Sequence, residues 1–200
     1  MTTRTCRTHP LRIDAVTLPT GGRIGMTFCP GKRQSDAMTG SWDRDLDTDL
    51  EAIVTWGARA LVTLMEPHEL ADLRVPDLGF RCRGRGLAWF HLPIRDVSVP
   101  SPRFEQDWLT VGPLLHAFLD QGEAVVLHCK GGLGRTGLVA CRLLIERGLA
   151  PERALADVRA ARPGAVETRA QEGYLRLRQF EQHGGADMMR GKKGAAVCAE

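Results

Sequence analysis

The sequence predicts an α/β fold built on a central, mostly parallel sheet flanked by helices. Three observations carry that prediction. Short β-branched runs alternate with helical patterns along the chain. The run "EAVVLH" is apolar almost throughout, as a strand covered on both faces must be, and it leads through a glycine-rich turn directly into a helical stretch.

The elements follow in order. "RIDAVTL" and "GRIGMTF", bracketed by Pro19, Gly21 and Gly22, read as a first pair of short strands. Asp43, Asp45, Asp47 and Asp49 precede Leu50, Ile53 and Val54, the arrangement of a helix whose positive end is lined with carboxylates. "ARALVTLM" is a buried strand, Pro67 opens a short helix through Leu73, and "GLAWFHLPI" is a further strand ending in the loop "RDVSVPSPR". Phe104 to Leu119 has helical periodicity, and after "EAVVLH" come "TGLVACRLLIERG", closed by Gly148, and "PERALADVRAAR", with Pro151 in its first turn. "TRAQEGYLRLRQF" is the last amphipathic helix. The expected organisation is one domain over 1–182, in which 1–22 form an N-terminal extension and the first strand, with a loose tail over 183–200.

Composition narrows the function classes. With 200 residues, 43% of them hydrophobic, the chain can bury one ordinary core. Its net charge of +3 arises from 27 basic and 24 acidic residues mixed along its length, which argues against a nucleic-acid partner. The cysteines at 6, 29, 82, 129, 141 and 198 lie far apart with no C-x-x-C pair, the pattern of a reducing compartment. No apolar run approaches the ~18 residues of a membrane span, and "MTTRTCRTHPLRID" lacks the apolar segment of a signal peptide, so the expectation is a cytoplasmic protein with no membrane partner.

The chemistry concentrates in "VVLHCKGGLGRTG". It stands at the carboxyl end of a central strand and the start of a helix, where open α/β sheets place ligands. Glycines at 131, 132, 134 and 137 allow a sharp turn whose successive N–H groups, from Lys130, Gly131, Gly132, Leu133 and Gly134 to Arg135, point inward as an anion nest at the positive end of the helix. Such a cradle suits a phosphate-like dianion. The planar fork of Arg135 can hold two equatorial oxygens at once. In that field the Cys129 thiol is expected to fall from ~8.5 toward or below ~7, giving a thiolate nucleophile. His128 can order the loop by hydrogen bonding, and Thr136 can donate its hydroxyl to the sulfur when the thiolate leaves.

Other readings fit less well. Gly132-x-Gly134-x-x-Gly137 satisfies a dinucleotide fingerprint with Asp157 downstream, yet Asp157 falls in a helical pattern, and Cys129 and Arg135 would have no task. A Walker loop is excluded because no Gly-Lys-Ser/Thr follows the glycines. A rhodanese-type loop is shorter than the five residues between Cys129 and Arg135. "DRDLDTD" lacks the glycine and glutamate of a calcium loop, and His68-Glu69 lacks the second histidine of a zinc-protease helix, so neither metal nor cofactor is expected. Trp56, Trp89 and Trp108 read as core or groove walls, and Cys141 as core.

His128-Cys129, five residues, Arg135-Thr136 resembles the signature loop of the cysteine-dependent protein tyrosine phosphatase superfamily. The compact chain points to its dual-specificity branch, and "GMTFCPGKR", "HELADLRVPDL", "HLPIRDVSVP" and "ARPGAVETRAQEGYL" are similar to the kinase-associated phosphatase family. The likeness covers roughly Ile24 to Phe180. It implies a dual-specificity phosphatase-like fold, a phosphocysteine intermediate, a phosphorylated protein as substrate, and a kinase as a conceivable partner. It also implies a general acid on a loop over the cradle, for which Asp96 in "LPIRDVSVP" is the candidate; Asp107 is the rival but reads as part of the next helix. Gln171 matches a glutamine that related phosphatases use near the site to position water, the alternative being a solvated helix face. Cys29 or Cys82 could pair with an oxidised Cys129.

Substrate choice among phosphotyrosine, phosphoserine and phosphothreonine depends on cleft depth. The alternatives are a phosphoinositide or small metabolite, for which Lys130 is present while Leu133 stands where lipid phosphatases often carry lysine, and a non-catalytic phosphate-binding module. Binding alone would need Arg135 and the amides, but neither the thiol nor the acid.

Overall fold

The structure, a computed structural model, describes residues 3–37 and 40–177. The expected tail over 183–200, Cys198 and the end of the last predicted helix lie outside the described residues.

Five strands form the central sheet: β1 (Asp14–Thr17), β2 (Arg23–Phe28), β5 (Ala58–Thr63), β6 (Ala88–His91) and β7 (Ala124–Cys129), in the order β1-β2-β7-β5-β6. The order puts β7 in the middle. Its register runs parallel to β2, with Phe28 opposite Cys129, and parallel to β5, with Thr63 opposite His128; only β1 is antiparallel. Every residue of β7 is buried, which is why its sequence shows no alternation. A two-stranded ribbon, β3 (Arg33–Gln34) with β4 (Trp42–Asp43), lies outside the sheet.

The helices among the described residues are α1 (Leu46–Thr55), α2 (Pro67–Asp72), α3 (Leu78–Arg83), α4 (Pro102–Asp120), α5 (Gly134–Glu146), α6 (Pro151–Ala161) and a last one, α7, over 169–177. None of them is long and apolar enough to cross a membrane. α5 is buried from Gly134 to Ile145 and packs on β7 and α6, so the strand and helix on either side of the glycine-rich loop are held rigidly by the core.

Two predictions need correcting. α3, in "LGFRCR", is absent from the sequence reading because it is a short helix specified by packing: a Cβ at Gly79 would stand 2.6 Å from the Trp89 ring, so glycine lets α3 press onto β6. Of the four carboxylates expected at the positive end of α1, Asp45 caps it, accepting the Thr48 N–H at 2.8 Å, and Asp47 and Asp49 lie in its first turn, whereas Asp43 belongs to β4. Asp49 turns inward and grips the guanidinium of Arg44 at 2.7 and 2.8 Å, both side chains fully buried, while its Oδ2 also accepts the Gly31 N–H at 2.8 Å. That pair fixes the segment after β2 beside the end of β7, where the Cys29 N–H reaches the Lys130 carbonyl at 3.4 Å.

Candidate functional site

β7 ends at Cys129, 4% exposed, and the chain turns over it into α5. The Gly132 N–H donates to Cys129 Sγ at 3.2 Å. Among the four glycines expected to make the turn, Gly132 alone is left-handed, with φ 73°, and a Cβ there would lie 2.3 Å from the Thr27 carbonyl oxygen. Gly134 and Gly137 are helical; at Gly137 the constraint is close approach, with the Val166 nitrogen 2.8 Å from where a Cβ would stand. α1 and α4 begin under the side-chain caps of Asp45 and Ser101, whereas α5 begins at Leu133 with none. Its first amides therefore remain donors for an anion at the positive end of the helix.

Arg135 rises from the first turn of α5 and is 2% exposed. Its two terminal nitrogens hold Glu69 of α2 at 2.6 and 2.9 Å, and Nη1 also donates to the Ile94 carbonyl at 3.1 Å. Burial opposes a charged Glu69, but the Arg135 guanidinium and the Glu66 N–H hold its carboxyl below the usual range. The Nε of Arg135 is buried with no protein partner. Asp96, on the loop after β6, brings Oδ1 to 2.9 Å from Nη2 of Arg135 while remaining more than half exposed. The rival Asp107 lies in α4, paired with Arg103 at 2.9 Å.

The remaining expected residues divide. His128 pairs through Nε2 with Thr63 Oγ1 at 2.8 Å, which ties β7 to β5; burial pushes its imidazole down to about 3. The Thr136 hydroxyl is buried without a protein partner. Lys130 and Leu133 contribute main chain: the Lys130 carbonyl accepts from Cys29, and that of Leu133 from Gly137 at 2.8 Å. Gly131 is exposed at the rim. Gln171 is fully buried, which removes the solvated-face alternative, and its amide is bonded to backbone groups of residues 98, 167 and 168. All five described cysteines are free; burial pushes the thiol of Cys82, in α3, up to about 12 and raises that of Cys29 as well.

Three positions escape sequence reasoning. Glu69, considered there only as half of a zinc motif, is the anchor of Arg135. Arg162, just after α6, donates from Nε to the Gly132 carbonyl and from Nη2 to the Gly131 carbonyl at 3.2 Å, while Nη1 binds Asp14 of β1 at 2.7 Å. By gripping the carbonyls on the outside of the turn, it keeps the N–H groups facing in. Lys32, 5% exposed, lies 4.0 Å over the Trp42 ring, and burial pushes its ammonium down to about 8. The only sequence cues were a capping pattern in "EPHE" and an arginine before Pro-Gly, neither specific to a site. Among the described residues no group of three or more His, Cys, Asp or Glu is arranged to hold a metal ion.

Comparison with known proteins places this geometry. Residues 38–149 match the family described as "polymorphic toxin system, DSP-PTPase phosphatase". Cyclin-dependent kinase inhibitor 3 of Mus musculus is 29% identical over 154 residues, which are 76% of this chain and 69% of that protein. A crystal structure of kinase associated phosphatase, with its catalytic-site cysteine replaced by serine, superposes with a TM-score of 0.75 at 26% identity, covering 87% of this chain and 97% of the other. Tk-PTP in its active form gives 0.57 at 29% identity, covering 80% and 92%.

Proposed function

The chain belongs to the DSP-PTPase phosphatase family of polymorphic toxin systems and is a cysteine-dependent dual-specificity phosphatase; from that premise we propose that it dephosphorylates proteins, at phosphotyrosine first and at phosphoserine or phosphothreonine second, through a phosphocysteine intermediate. The observation that carries the reading is the convergence of three groups at one turn: Cys129 Sγ under the Gly132 N–H, Arg135 with a free Nε, and Asp96 on the same guanidinium.

The chemistry follows from their positions. The phosphate enters the turn, takes the N–H groups and Arg135, and displaces Asp96 from the guanidinium. The Cys129 thiolate attacks phosphorus; the S–P bond forms as the P–O bond to the leaving group breaks, and Asp96 gives that oxygen a proton. Water then attacks phosphorus, its proton passes to Asp96, and the S–P bond breaks to restore the thiolate and release inorganic phosphate. Arg135 and the amides stabilise the equatorial oxygens in both steps. His128, neutral and committed to Thr63, takes no part in proton transfer.

The test is phosphate release from a phosphotyrosine peptide, a phosphothreonine peptide, a phosphorylated kinase and a phosphoinositide, with Cys129→Ser as control. The kinase is included because the chain is similar to kinase associated phosphatase. Hydrolysis fastest on phosphotyrosine, absent in the variant, with iodine-labile phosphate trapped on the wild type, is the expected result. Fastest turnover of the phosphoinositide makes the protein a lipid phosphatase, and phosphopeptide binding without turnover makes it a recognition module.

A further inference from the structure

Thr168 and Gln171 form a capping box at the start of α7. Thr168 Oγ1 accepts the Gln171 N–H at 3.1 Å, and Gln171 Oε1 accepts the N–H groups of Thr168 at 3.3 Å and Glu167 at 2.9 Å. Capping uses only the oxygen of that side chain, and glutamate would serve it as well. The amide nitrogen does something else: it donates to the Ser98 carbonyl at 3.2 Å, from a side chain that is fully buried.

Ser98 closes the turn that carries Asp96. Its N–H donates to the Arg95 carbonyl at 3.2 Å and its hydroxyl to the Asp96 carbonyl at 3.2 Å, while Asp96 Oδ1 accepts the Val97 N–H at 3.1 Å. Val97, at the third position, has φ 58° and is exposed. A β-branched residue in the left-handed region resists that conformation, so the turn persists only if something outside it holds it. Gln171 also borders the first turn of α5, since a Cβ at Gly134 would stand 3.2 Å from its Nε2.

We infer that Gln171 is a positioning residue, whose amide N–H latches the Ser98 carbonyl and so holds the acid turn with Asp96 over Arg135. This rests on the reading of Asp96 as the general acid. The role differs from water positioning, which would act on hydrolysis of the phosphocysteine and be indifferent to the leaving group.

The experiment compares the full-length wild type with Gln171→Glu, Asp96→Asn, the double variant and Thr168→Ala, on p-nitrophenyl phosphate and on phenyl phosphate, whose leaving group is poorer. Gln171→Glu keeps the capping oxygen and sets an acceptor against the Ser98 carbonyl. Its kcat/KM on phenyl phosphate should fall by about tenfold or more, with a change under about threefold on p-nitrophenyl phosphate, and it should cost nothing further in the Asp96→Asn background. Thr168→Ala weakens the same cap without touching Ser98 and should show no leaving-group dependence. An equal loss on both esters in Gln171→Glu, or additivity with Asp96→Asn, overturns the latch. So does the same selectivity in Thr168→Ala, which would trace the effect to α7 alone, or a burst followed by slowed steady turnover, which would give Gln171 to the second step. If Asp96→Asn is itself unselective, the general-acid reading falls and the latch with it.

Discussion

Glu69 holds Arg135 by both of its terminal nitrogens, at 2.6 and 2.9 Å, and leaves Nε without a protein acceptor. The fork is thus fixed from behind by a charge-assisted, bidentate contact, and its remaining donor is committed to nothing in the protein.

Removing that support separates orientation from charge. Glu69→Gln keeps the volume of the side chain and loses the second charge-assisted bond, so orthovanadate inhibition should weaken by about tenfold or more, roughly 1.4 kcal/mol. Glu69→Ala leaves a buried guanidinium partly uncompensated and should cost about 3 kcal/mol of unfolding free energy in urea. Unchanged vanadate inhibition in both variants would show that Arg135 needs no support from α2.

Arg162 works on the opposite side of the turn. Arg162→Met removes the donors to the Gly131 and Gly132 carbonyls and takes one arginine from Asp14, whose side chain is 11% exposed and keeps its contact with Arg12. The expected outcome is loss of about 2–3 kcal/mol of stability and weaker vanadate binding. Adding Asp14→Asn should recover part of the stability and none of the binding; recovery of both would mean that Arg162 serves only the fold.

The neighbouring glycines make opposite predictions. Gly132→Ala forces a Cβ against the Thr27 carbonyl at φ 73° and should destabilise by more than about 2 kcal/mol, because the obstacle is backbone. At Gly131 a Cβ meets nothing within 4 Å, so Gly131→Ala should stay within about 0.5 kcal/mol. Thermal unfolding of the two variants checks this directly, and equal losses would refute the assignment of the left-handed position.

His128 sets a pH dependence of stability. Its imidazole is pushed down to about 3 in the folded state by burial, against about 6.5 when unfolded. Between those values the unfolded chain binds a proton that the native one refuses, so stability falls as pH falls, by up to about 1.4 kcal/mol per pH unit from this group alone. Above pH 6.5 the group has no effect. Urea unfolding from pH 7 to 4 should therefore show a shallower slope in His128→Asn than in the wild type; identical slopes would place the acid sensitivity in other groups.

The alternation of strands and helices, the apolar β7 and the loop from Cys129 to Arg135 were legible in the sequence because each depends on neighbours a few residues away. Periodicity reports which face is buried, and a nest of amides needs only consecutive residues. α3 was not legible, since "LGFRCR" is too short to form a helix by propensity and becomes one only where Gly79 meets Trp89. The burial of Gln171 could not be told from exposure, because the same capping residue suits either.

The sequence by itself determined the order of strands and helices and where the turn from Cys129 to Arg135 falls in it. Only the tertiary structure decided what holds them: Glu69 on Arg135, Arg162 between Gly132 and Asp14, Gln171 on Ser98. These bonds join residues 66, 148 and 73 positions apart, on β1, α2, α5, α7 and the segments that follow β6 and α6, which packing brings together. Local patterns decide which element a residue joins. Which distant carboxylate or carbonyl it meets depends on how the elements pack, because a buried donor must find its acceptor wherever the core places one.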